Sequence, residues 1–395
     1  MPCHRIIRQS AAGIALGLAA FLALPFPAPA APPAAGRVLA VGPAREYKVP
    51  SAAAAAAQDG DTIAIDAGEY SGDVAVWSAN HLTIRGVNGL ARLDAKGRSA
   101  QQKAIWVIRG SDTTVEQIEF SGCRVPDRNG AGIRLEGAAL VVRHCRFHDN
   151  EDGILTGANP NSDILIEYTE FGHNGAGDGY SHNLYIGHIR QFTLQFCWSH
   201  HADIGHLVKS RAETNFILYN RLMDEQEGRS SYVIDLPNGG RSFLIGNLLQ
   251  HGPRAENGVA VSYAAEGAKN TVQELFVVNN TYVNERKPAG AFLRVAGPSP
   301  KVRVINNLVT GTASLLSGPG ETVSNLVTPT PGLADAARYD YRPTAKSPAR
   351  QAGIDPGKAG EFSLRPAFEY RHPLQATPHP ATRQLDIGAL PYAAD

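Results

Sequence analysis

The segments FILYNRL (216–222), FLIGNLL (243–249), FVVNNTY (276–282) and VRVINNLV (302–309) share one pattern, in which a short apolar run leads to an asparagine. Four related segments precede them: VEQIEF (115–120), VVRHCRF (141–147), LIEYTEF (165–171) and FTLQFCWS (192–199). Their equivalent positions, separated by 27, 24, 28, 23, 27, 33 and 27 residues, are Ile118, Cys145, Thr169, Cys197, Asn220, Asn247, Asn280 and Asn307. A repeat of this length is typical of solenoids, whose units contact only their neighbours.

Each repeat has room for one coil of β-strands, so we predict an all-β protein, a single-stranded right-handed parallel β-helix of about 9–11 coils. Stacked coils are about 4.8 Å apart. The four asparagines should therefore form an internal ladder of side-chain amides. Cys145 and Cys197 would lie two coils apart, at about 10 Å, which is too far for a disulfide.

A second strand also recurs in each coil, as GIRL (132–135), GILT (153–156), NLYI (183–186), HLVK (206–209), YVID (232–235) and GVAV (258–261). We expect its inward positions to be an aliphatic stack of Ile133, Ile154, Leu184, Leu207, Val233 and Val259. The preceding position carries Asn183, His206 and Tyr232, which should face outward with Tyr185 and line a groove. Strict alternation turns Lys209 and Asp235 inward, whereas a bend after the strand would bring both to the groove edge.

The ends of the chain have different composition. Arg5 and Arg8 precede an apolar run (11–24) and small residues near Ala30, so we predict a signal peptide over 1–30 and a periplasmic or secreted protein. A Pro/Ala-rich linker (31–44), the β-helix (45–330) and a tail packing on the last coils (331–395) would follow. A helix capped by Ser51 and running to Ala57 should close the first coil.

The formal net charge is zero, and no second long apolar segment follows the first. We therefore expect neither a nucleic-acid partner nor a membrane span, and we expect a monomer. The residues from Tyr180 to Arg211 are different in character, because they contain five of the thirteen histidines and only one acid. These residues are His182, His188, His200, His201 and His206, with Arg190, Lys209, Arg211 and the acid Asp203. Such a cationic segment favours a site for an acidic polysaccharide.

The stretch HADIGHLVKSRAETNFILYN (201–220) resembles the lysine-bearing coil of the chondroitinase B and alginate lyase family, within the pectate-lyase-like β-helix superfamily. The resemblance implies that Lys209 is the base that removes the proton beside a uronate carboxylate. It also implies a calcium ion on that carboxylate and an arginine on the next coil. This chain departs from both features, since Asp203 is the only nearby acid and the next coil reads SSYVIDLPNGG (230–240). We therefore expect no cofactor, with calcium left open.

A lyase needs a group that neutralises the carboxylate, a base, and an acid for the leaving oxygen. Arg211, His188 or His182 could neutralise, Lys209 or His206 could be the base, and Tyr185 or Tyr232 the acid. The predicted catalytic residues are Lys209, His206, Tyr185, Tyr232 and Asp235. The predicted substrate-binding residues are His182, Asn183, His188, Arg211, Asn238 and Arg134.

Three other functions remain open. A uronate C5-epimerase would share the proton abstraction. A glycoside hydrolase would need two facing carboxylates, drawn from Asp224, Glu225, Glu227 and Asp235. A non-catalytic glycan-binding protein would use the same groove. Zinc binding by His200, His201 and His206 is disfavoured, because adjacent histidines on one turn are poor joint ligands.

Overall fold

The structure is a computed structural model that describes residues 36–297, 300–379 and 384–392. Within these residues the chain folds into a parallel β-solenoid of about 10 turns. One α-helix, α1, spans Pro50–Ala56. The predicted signal peptide lies outside the described residues. Among the described residues, no helix has the length and hydropathy to span a bilayer.

The strands are short and follow one another through brief turns. Up to residue 172 they are β1 Val38–Val41, β2 Thr62–Glu69, β3 Ala75–Trp77, β4 Thr83–Asp94, β5 Ala104–Ile108, β6 Thr113–Glu116, β7 Ile118–Ser121, β8 Ala131–Leu135, β9 Leu140–Arg143, β10 Arg146–His148, β11 Asp152–Thr156, β12 Asn159–Glu167 and β13 Glu170–Gly172. The central coils contain β14 Leu184–Ile186, β15 Ile189–Gln195, β16 Trp198–His200, β17 Val208–Ser210, β18 Thr214–Leu218, β19 Arg221–Met223, β20 Ile234–Leu236, β21 Arg241–Ile245 and β22 Leu248–His251. The last coils contain β23 Val259–Tyr263, β24 Glu274–Val278, β25 Thr281–Asn284, β26 Gly290–Val295, β27 Lys301–Ile305, β28 Leu308–Gly311, β29 Ala313–Ser317, β30 Glu321–Val323 and β31 Leu326–Val327.

Every pairing between these strands is parallel and joins one coil to the next. A 10-stranded sheet contains β3, β5, β8, β11, β14, β17, β20, β23, β26 and β29 in that spatial order. The remaining solenoid strands form a 21-stranded sheet with two columns, which share the long strand β4. Each coil therefore contributes one strand to each of three columns. The β-helix predicted from the repeat is confirmed.

The interior contains the asparagine ladder that the sequence predicts. Asn220 Nδ2 donates to Asn247 Oδ1 at 3.0 Å, and Asn247 Nδ2 donates to Asn280 Oδ1 at 2.9 Å. Asn280 continues the chain of bonds to Asn307, which in turn donates to Asn325. The asparagine ladder is confirmed and is one coil longer than expected. Its amides satisfy one another where no water reaches.

The aliphatic stack is correct in its first half and wrong in its second, by one residue at two positions and by two residues at the third. Ile133, Ile154 and Leu184 are in register. The register continues from Leu184 to Val208, Ile234 and Val261, not to the predicted Leu207, Val233 and Val259. The reason is that the chain bends as it enters these strands, so Leu207 and Val233 are also buried, at the bend. Simple alternation does not apply there.

Two smaller predictions need correction, and the one on the cysteines is confirmed. The solenoid begins at Val38, because β1 pairs in parallel with β2 inside the predicted linker. Helix α1 begins at Pro50, whose fixed φ suits the first helical position, so Ser51 is not the cap and its hydroxyl donates to Asp73 instead. Cys123, Cys145 and Cys197 are free and buried, as the predicted spacing requires for the last two.

The C-terminal tail reaches further along the solenoid than its last coils. It contains the strands β32 Leu333–Asp335, β33 Asp340–Pro343, β34 Lys358–Ala359, β35 Phe362–Ser363, β36 Phe368–Arg371 and β37 Gln375–Pro378, and a 3₁₀ turn at Ala336–Arg338. Phe368 stacks edge-on against Phe196 at 5.5 Å, and the Ala367 amide donates to the Tyr219 hydroxyl. The tail therefore covers apolar residues of central coils on the 21-stranded sheet and leaves the 10-stranded sheet uncovered by these contacts.

Candidate active site

The outer face of the 10-stranded sheet contains the predicted catalytic residues. Tyr185 of β14 pairs in register with Lys209 of β17, and Lys209 pairs with Asp235 of β20. The three side chains therefore point to the same face on consecutive coils, about 4.8 Å apart. Val208 and Ile234, the residues before Lys209 and Asp235, fill the core. Of the two orientations that the sequence left open for Lys209 and Asp235, the structure has the outward one.

Two cations and two carboxylates form a network around Lys209. The Lys209 ammonium lies 3.5 Å from Asp235 Oδ2 and 3.5 Å from Glu266 Oε1. Arg211 donates from Nη2 to Glu266 Oε2 at 2.7 Å and from Nε to the Tyr185 hydroxyl at 2.9 Å. Its Nη1 donates to Asn238 Oδ1 at 2.8 Å. Glu266 thus bridges the ammonium and the guanidinium with one oxygen each.

The two carboxylates differ in environment. The Asp235 side chain is only 4% exposed, whereas that of Glu266 is 47% exposed. Burial raises the pKa of Asp235, and the charge of Lys209 opposes the rise. Burial also acts to raise the pKa of Glu266, but the bonds and charges of Arg211 and Lys209 outweigh it and lower that pKa. Glu266 is therefore the more acidic and the more accessible of the two carboxyl groups, while Asp235 is enclosed.

His206 is held as a neutral ring beside this network. Its Nδ1 accepts a hydrogen bond from the Tyr232 amide at 3.2 Å, so the ring proton is on Nε2, which faces Asp235 Oδ2 at 3.6 Å. Burial, reinforced by the charge of Lys209, lowers the pKa of His206 to about 3. With one nitrogen bonded as an acceptor and the other protonated, the ring has no free lone pair. The geometry therefore favours Lys209 over His206 as the base.

His182 and Asn183, which the sequence predicts to bind substrate, are both buried. The His182 ring stacks on His206 at 4.5 Å, and its Nδ1 accepts from the His206 amide. Burial lowers the pKa of His182 well below its usual value, so the ring is neutral and is a poor partner for a carboxylate. Asn183 is fully buried, and its amide donates to Ser199 and to the His200 carbonyl. The outward position predicted for Asn183 is wrong, because it lies at the bend where the chain enters the strand.

The other predicted binding residues lie at different distances from Lys209. Asn238 contacts Arg211 directly. Arg134 is in the same outward column, three strands before Lys209 and so about 14 Å along the helix axis. His188 instead pairs with Glu213, its Nε2 lying 2.9 Å from Oε1.

Glu266 and Arg294 were missed by the sequence analysis. Arg294 extends the outward column beyond Asp235, since Ser262 pairs with Asp235 on one side and with Arg294 on the other. It donates to the Tyr232 hydroxyl at 2.7 Å. The correct register would have revealed Arg294. Glu266 follows β23 in a loop, where the repeat carries no positional signal.

The acids considered for a hydrolase are engaged in structural contacts. Asp224 is fully buried and accepts the Ser230 amide. Glu225 pairs with Arg221, and Glu227 pairs with Arg254. These contacts order the turn after β19. Only Asp235 of the four predicted acids contacts the Lys209 network directly.

A calcium ion does not suit this set of donors. Calcium requires six to eight oxygen ligands, several of them carboxylates without other partners. Here the two carboxylates nearest Lys209, from Asp235 and Glu266, are already paired with an ammonium and a guanidinium. These cations occupy the positions from which a metal would have to be held.

Comparisons with known proteins agree with this architecture. Residues 74–222 match the family described as "Right handed beta helix region". The crystal structure of pectate lyase Pel9A superposes with a TM-score of 0.61 at 12% identity, over 91% of this chain and 97% of that one. Pectate lyase B of Paenibacillus amylolyticus is 27% identical over 110 residues, which are 25% of this chain and 28% of that protein.

A PL6 family alginate lyase mutant, AlyGC, superposes with a TM-score of only 0.36 at 14% identity, over 90% of this chain and 56% of that one, so it carries no weight. The chain has a parallel β-helix fold, which the pectate lyase Pel9A shares. At these identities the comparisons define the fold, and the function has to be argued from the site.

Proposed function

We propose that this protein is an exported polysaccharide lyase that cleaves a uronate-containing glycan by β-elimination. The observation that carries the proposal is the pair formed by Lys209 and Arg211, which share the carboxylate of Glu266 on an outer face of the solenoid. An ammonium and a guanidinium that converge on one carboxylate are arranged as a uronate carboxylate would require. The fold of a pectate lyase, Pel9A, supports the same reaction class.

In this mechanism the substrate carboxylate takes the place of Glu266 beside Arg211. Glu266 can yield that place because it lies on an exposed loop and its carboxylate is nearly half accessible. Neutralising the uronate carboxylate makes the adjacent C–H more acidic, and Lys209, in its unprotonated form, removes that proton. Asp235 and the neutral His206 then act as positioning residues beneath the Lys209 ammonium.

Tyr185 is the acid that we assign to the leaving glycosidic oxygen. Its hydroxyl accepts a hydrogen bond from Arg211, so its own proton remains available for donation. The Lys209 ammonium lies 5.7 Å from the centre of the Tyr185 ring, which places base and acid side by side. Tyr232, the other predicted acid, is bonded in the same way to Arg294 and lies two coils beyond Tyr185.

We propose that the reaction proceeds without a metal, because Arg211 supplies the charge that a calcium ion would supply. Arg134 and Arg294, in the same outward column, would contact further uronate residues of a linear glycan. The test is ultraviolet absorbance of the unsaturated product when the purified protein is incubated with a panel of polyuronates, with and without a calcium chelator. Absorbance should rise equally in both conditions.

Two variants make that assay specific. Lys209→Met should abolish the absorbance rise, because it removes the base but keeps the length of the side chain. Lys269→Met removes an exposed lysine from the loop that also holds Glu266, and it should leave the rate unchanged. If the two variants behave alike, or if no polyuronate yields an unsaturated product, the lyase proposal is wrong.

A glycoside hydrolase is the second candidate, and one observation favours it. The carboxylates of Asp235 and Glu266 both lie 3.5 Å from the Lys209 ammonium, so these two oxygens are at most about 7 Å apart. A hydrolase would release reducing ends without ultraviolet absorbance and would lose activity in Glu266→Gln. An epimerase would exchange the C5 proton with solvent deuterium and leave the chain length unchanged.

A further inference from the structure

Three histidines meet on the 21-stranded sheet, on a different sheet from Lys209. His173 follows β13, and His200 and His201 lie at and after the end of β16. Gly172 pairs with His200 in register, so His173 and His201 occupy equivalent positions on neighbouring coils. Their rings stack with centroids 4.6 Å apart. Together with His200 they bring one nitrogen each within 4.8 Å of one another.

The His200 ring occupies a space that the fold keeps open for it. A Cβ atom on Gly172 would lie 2.3 Å from Cε1 of this ring, so any other residue at position 172 would displace it. Trp198 stacks on the ring with centroids 4.0 Å apart. His200 Nε2 lies 3.3 Å from Glu170 Oε1. A carboxylate partner on one imidazole nitrogen is the usual support of a metal-binding histidine, because it orients the other nitrogen towards the metal.

That other nitrogen, His200 Nδ1, lies 2.7 Å from His201 Nδ1. Two nitrogens bound tetrahedrally to zinc at about 2.0–2.1 Å are about 3.3 Å apart. Metal binding therefore has to separate the two rings by about half an ångström. A cleft of about 370 Å³ adjoins His173 and His201 and is also lined by Arg124, Asp203 and Arg229. It leaves room for a fourth ligand.

We propose that His173, His200 and His201 bind a divalent transition metal ion of the zinc type, with one coordination position open to this cleft. Imidazole is a preferred ligand of zinc, cobalt, nickel and copper. The objection to zinc on adjacent histidines is met by the geometry, because the Nδ1 atoms of His200 and His201 already converge to 2.7 Å. The third ligand is His173 of the preceding coil, not His206, which lies beside Lys209. Glu170 is a positioning residue for His200.

The test begins with the full chain, purified without a histidine tag and freed of metal with a chelator. Calorimetric titration with zinc chloride should show one saturable equivalent per chain. Cobalt chloride should give the visible absorption bands of a nitrogen-ligated ion of low coordination number. No saturable zinc binding with zinc in excess would overturn the proposal.

Matched variants assign the binding to these residues. His173 and His81 are both exposed histidines with a φ of +56°, a conformation that asparagine tolerates. Loss of a supporting partner such as Glu170 lowers metal affinity about 10- to 100-fold. His173→Asn removes a ligand itself, so it should lower the zinc affinity by more than that. His81→Asn should leave it unchanged. Equal zinc affinity in His173→Asn and the unaltered protein would also overturn the proposal, independently of any lyase assay.

Discussion

Replacing Lys209 by methionine separates its structural role from its catalytic one. The variant leaves the Asp235 carboxylate, which is 4% exposed, without its ammonium partner. The other ionisable group that faces this carboxylate is His206, whose Nε2 at 3.6 Å is too far for a hydrogen bond. A buried carboxylate without a partner costs about 3–5 kcal/mol, unless it takes up a proton.

Protonation limits this cost and makes it depend on pH. Holding a proton on a carboxyl group with an ordinary pKa of about 3.9 costs about 4 kcal/mol at pH 7 and about 1.5 kcal/mol at pH 5. In the variant, burial keeps the pKa of Asp235 above its unfolded value, the direction already seen in the intact protein. Such a group contributes most to stability at low pH, and the contribution is lost as pH rises. Lys209→Met should therefore destabilise by about 3–4 kcal/mol at pH 7 and by about 1–2 kcal/mol at pH 5.

Urea unfolding at both pH values, followed by tryptophan fluorescence, measures this difference against the unaltered protein. The double variant Lys209→Met with Asp235→Asn should recover stability to within about 1 kcal/mol, because replacing both members of a buried ion pair is often nearly neutral. It should remain inactive as a lyase. A stability loss that is equal at pH 5 and pH 7 would refute the burial argument, and activity in the double variant would refute the role of Lys209 as base.

Three further predictions concern single residues. Burial raises the pKa of Asp152 to about 8, so the stability of the protein should fall as pH rises from about 4 to 8. The melting temperature should show this decline, and Asp152→Asn should flatten it. An unchanged slope in the variant would contradict the prediction. Asn247→Ala removes the acceptor of the Asn220 backbone and side-chain amides and the donor to the Ile217 carbonyl, all in the core. The free energy of unfolding in urea should fall by about 2–5 kcal/mol. A fall below about 1 kcal/mol would mean that water replaces the amide. Glu266→Gln should lower KM for the polyuronate up to about fivefold, because it frees Arg211 from its ion pair. The control Glu256→Gln, at an exposed glutamate, should leave KM unchanged. A fall in kcat in Glu266→Gln would instead favour the hydrolase.

The sequence was sufficient to predict the fold, because each coil of a solenoid repeats the same pattern of strands and turns. Asn220, Asn247 and Asn280 recur once per coil, and stacking at a fixed rise converts that recurrence directly into a ladder, whatever the length of the loops between them. The same regularity predicted free, buried Cys145 and Cys197. It also predicted that Tyr185 faces outward from the sheet, which its pairing with Lys209 bears out.

The candidate site was only partly predictable. Its residue types are visible in one short segment of the sequence, but the pairing of each residue with neighbouring strands is not. The cluster of histidines and cations between Tyr180 and Arg211 was visible as a departure from the repeat. Its members nevertheless divide between two sheets, with His206 beside Lys209 and His200 beside His173. Residues a few positions apart lie on opposite sides of a turn, and linear proximity cannot show which sheet each one joins.

The sequence by itself determined the coil length, the inward ladder and the presence of Lys209 and Arg211 in one cationic segment. Only the tertiary structure decided that Lys209 and Asp235 point outward, that His206 is a neutral support, and that Glu266 bridges the two cations. The physical reason is that periodic positions are set by hydrogen bonding between identical strands, whereas a bend at a strand entry shifts the register by one residue and reverses the face. Loops such as the one that contains Glu266 have no repeat from which their position could be inferred.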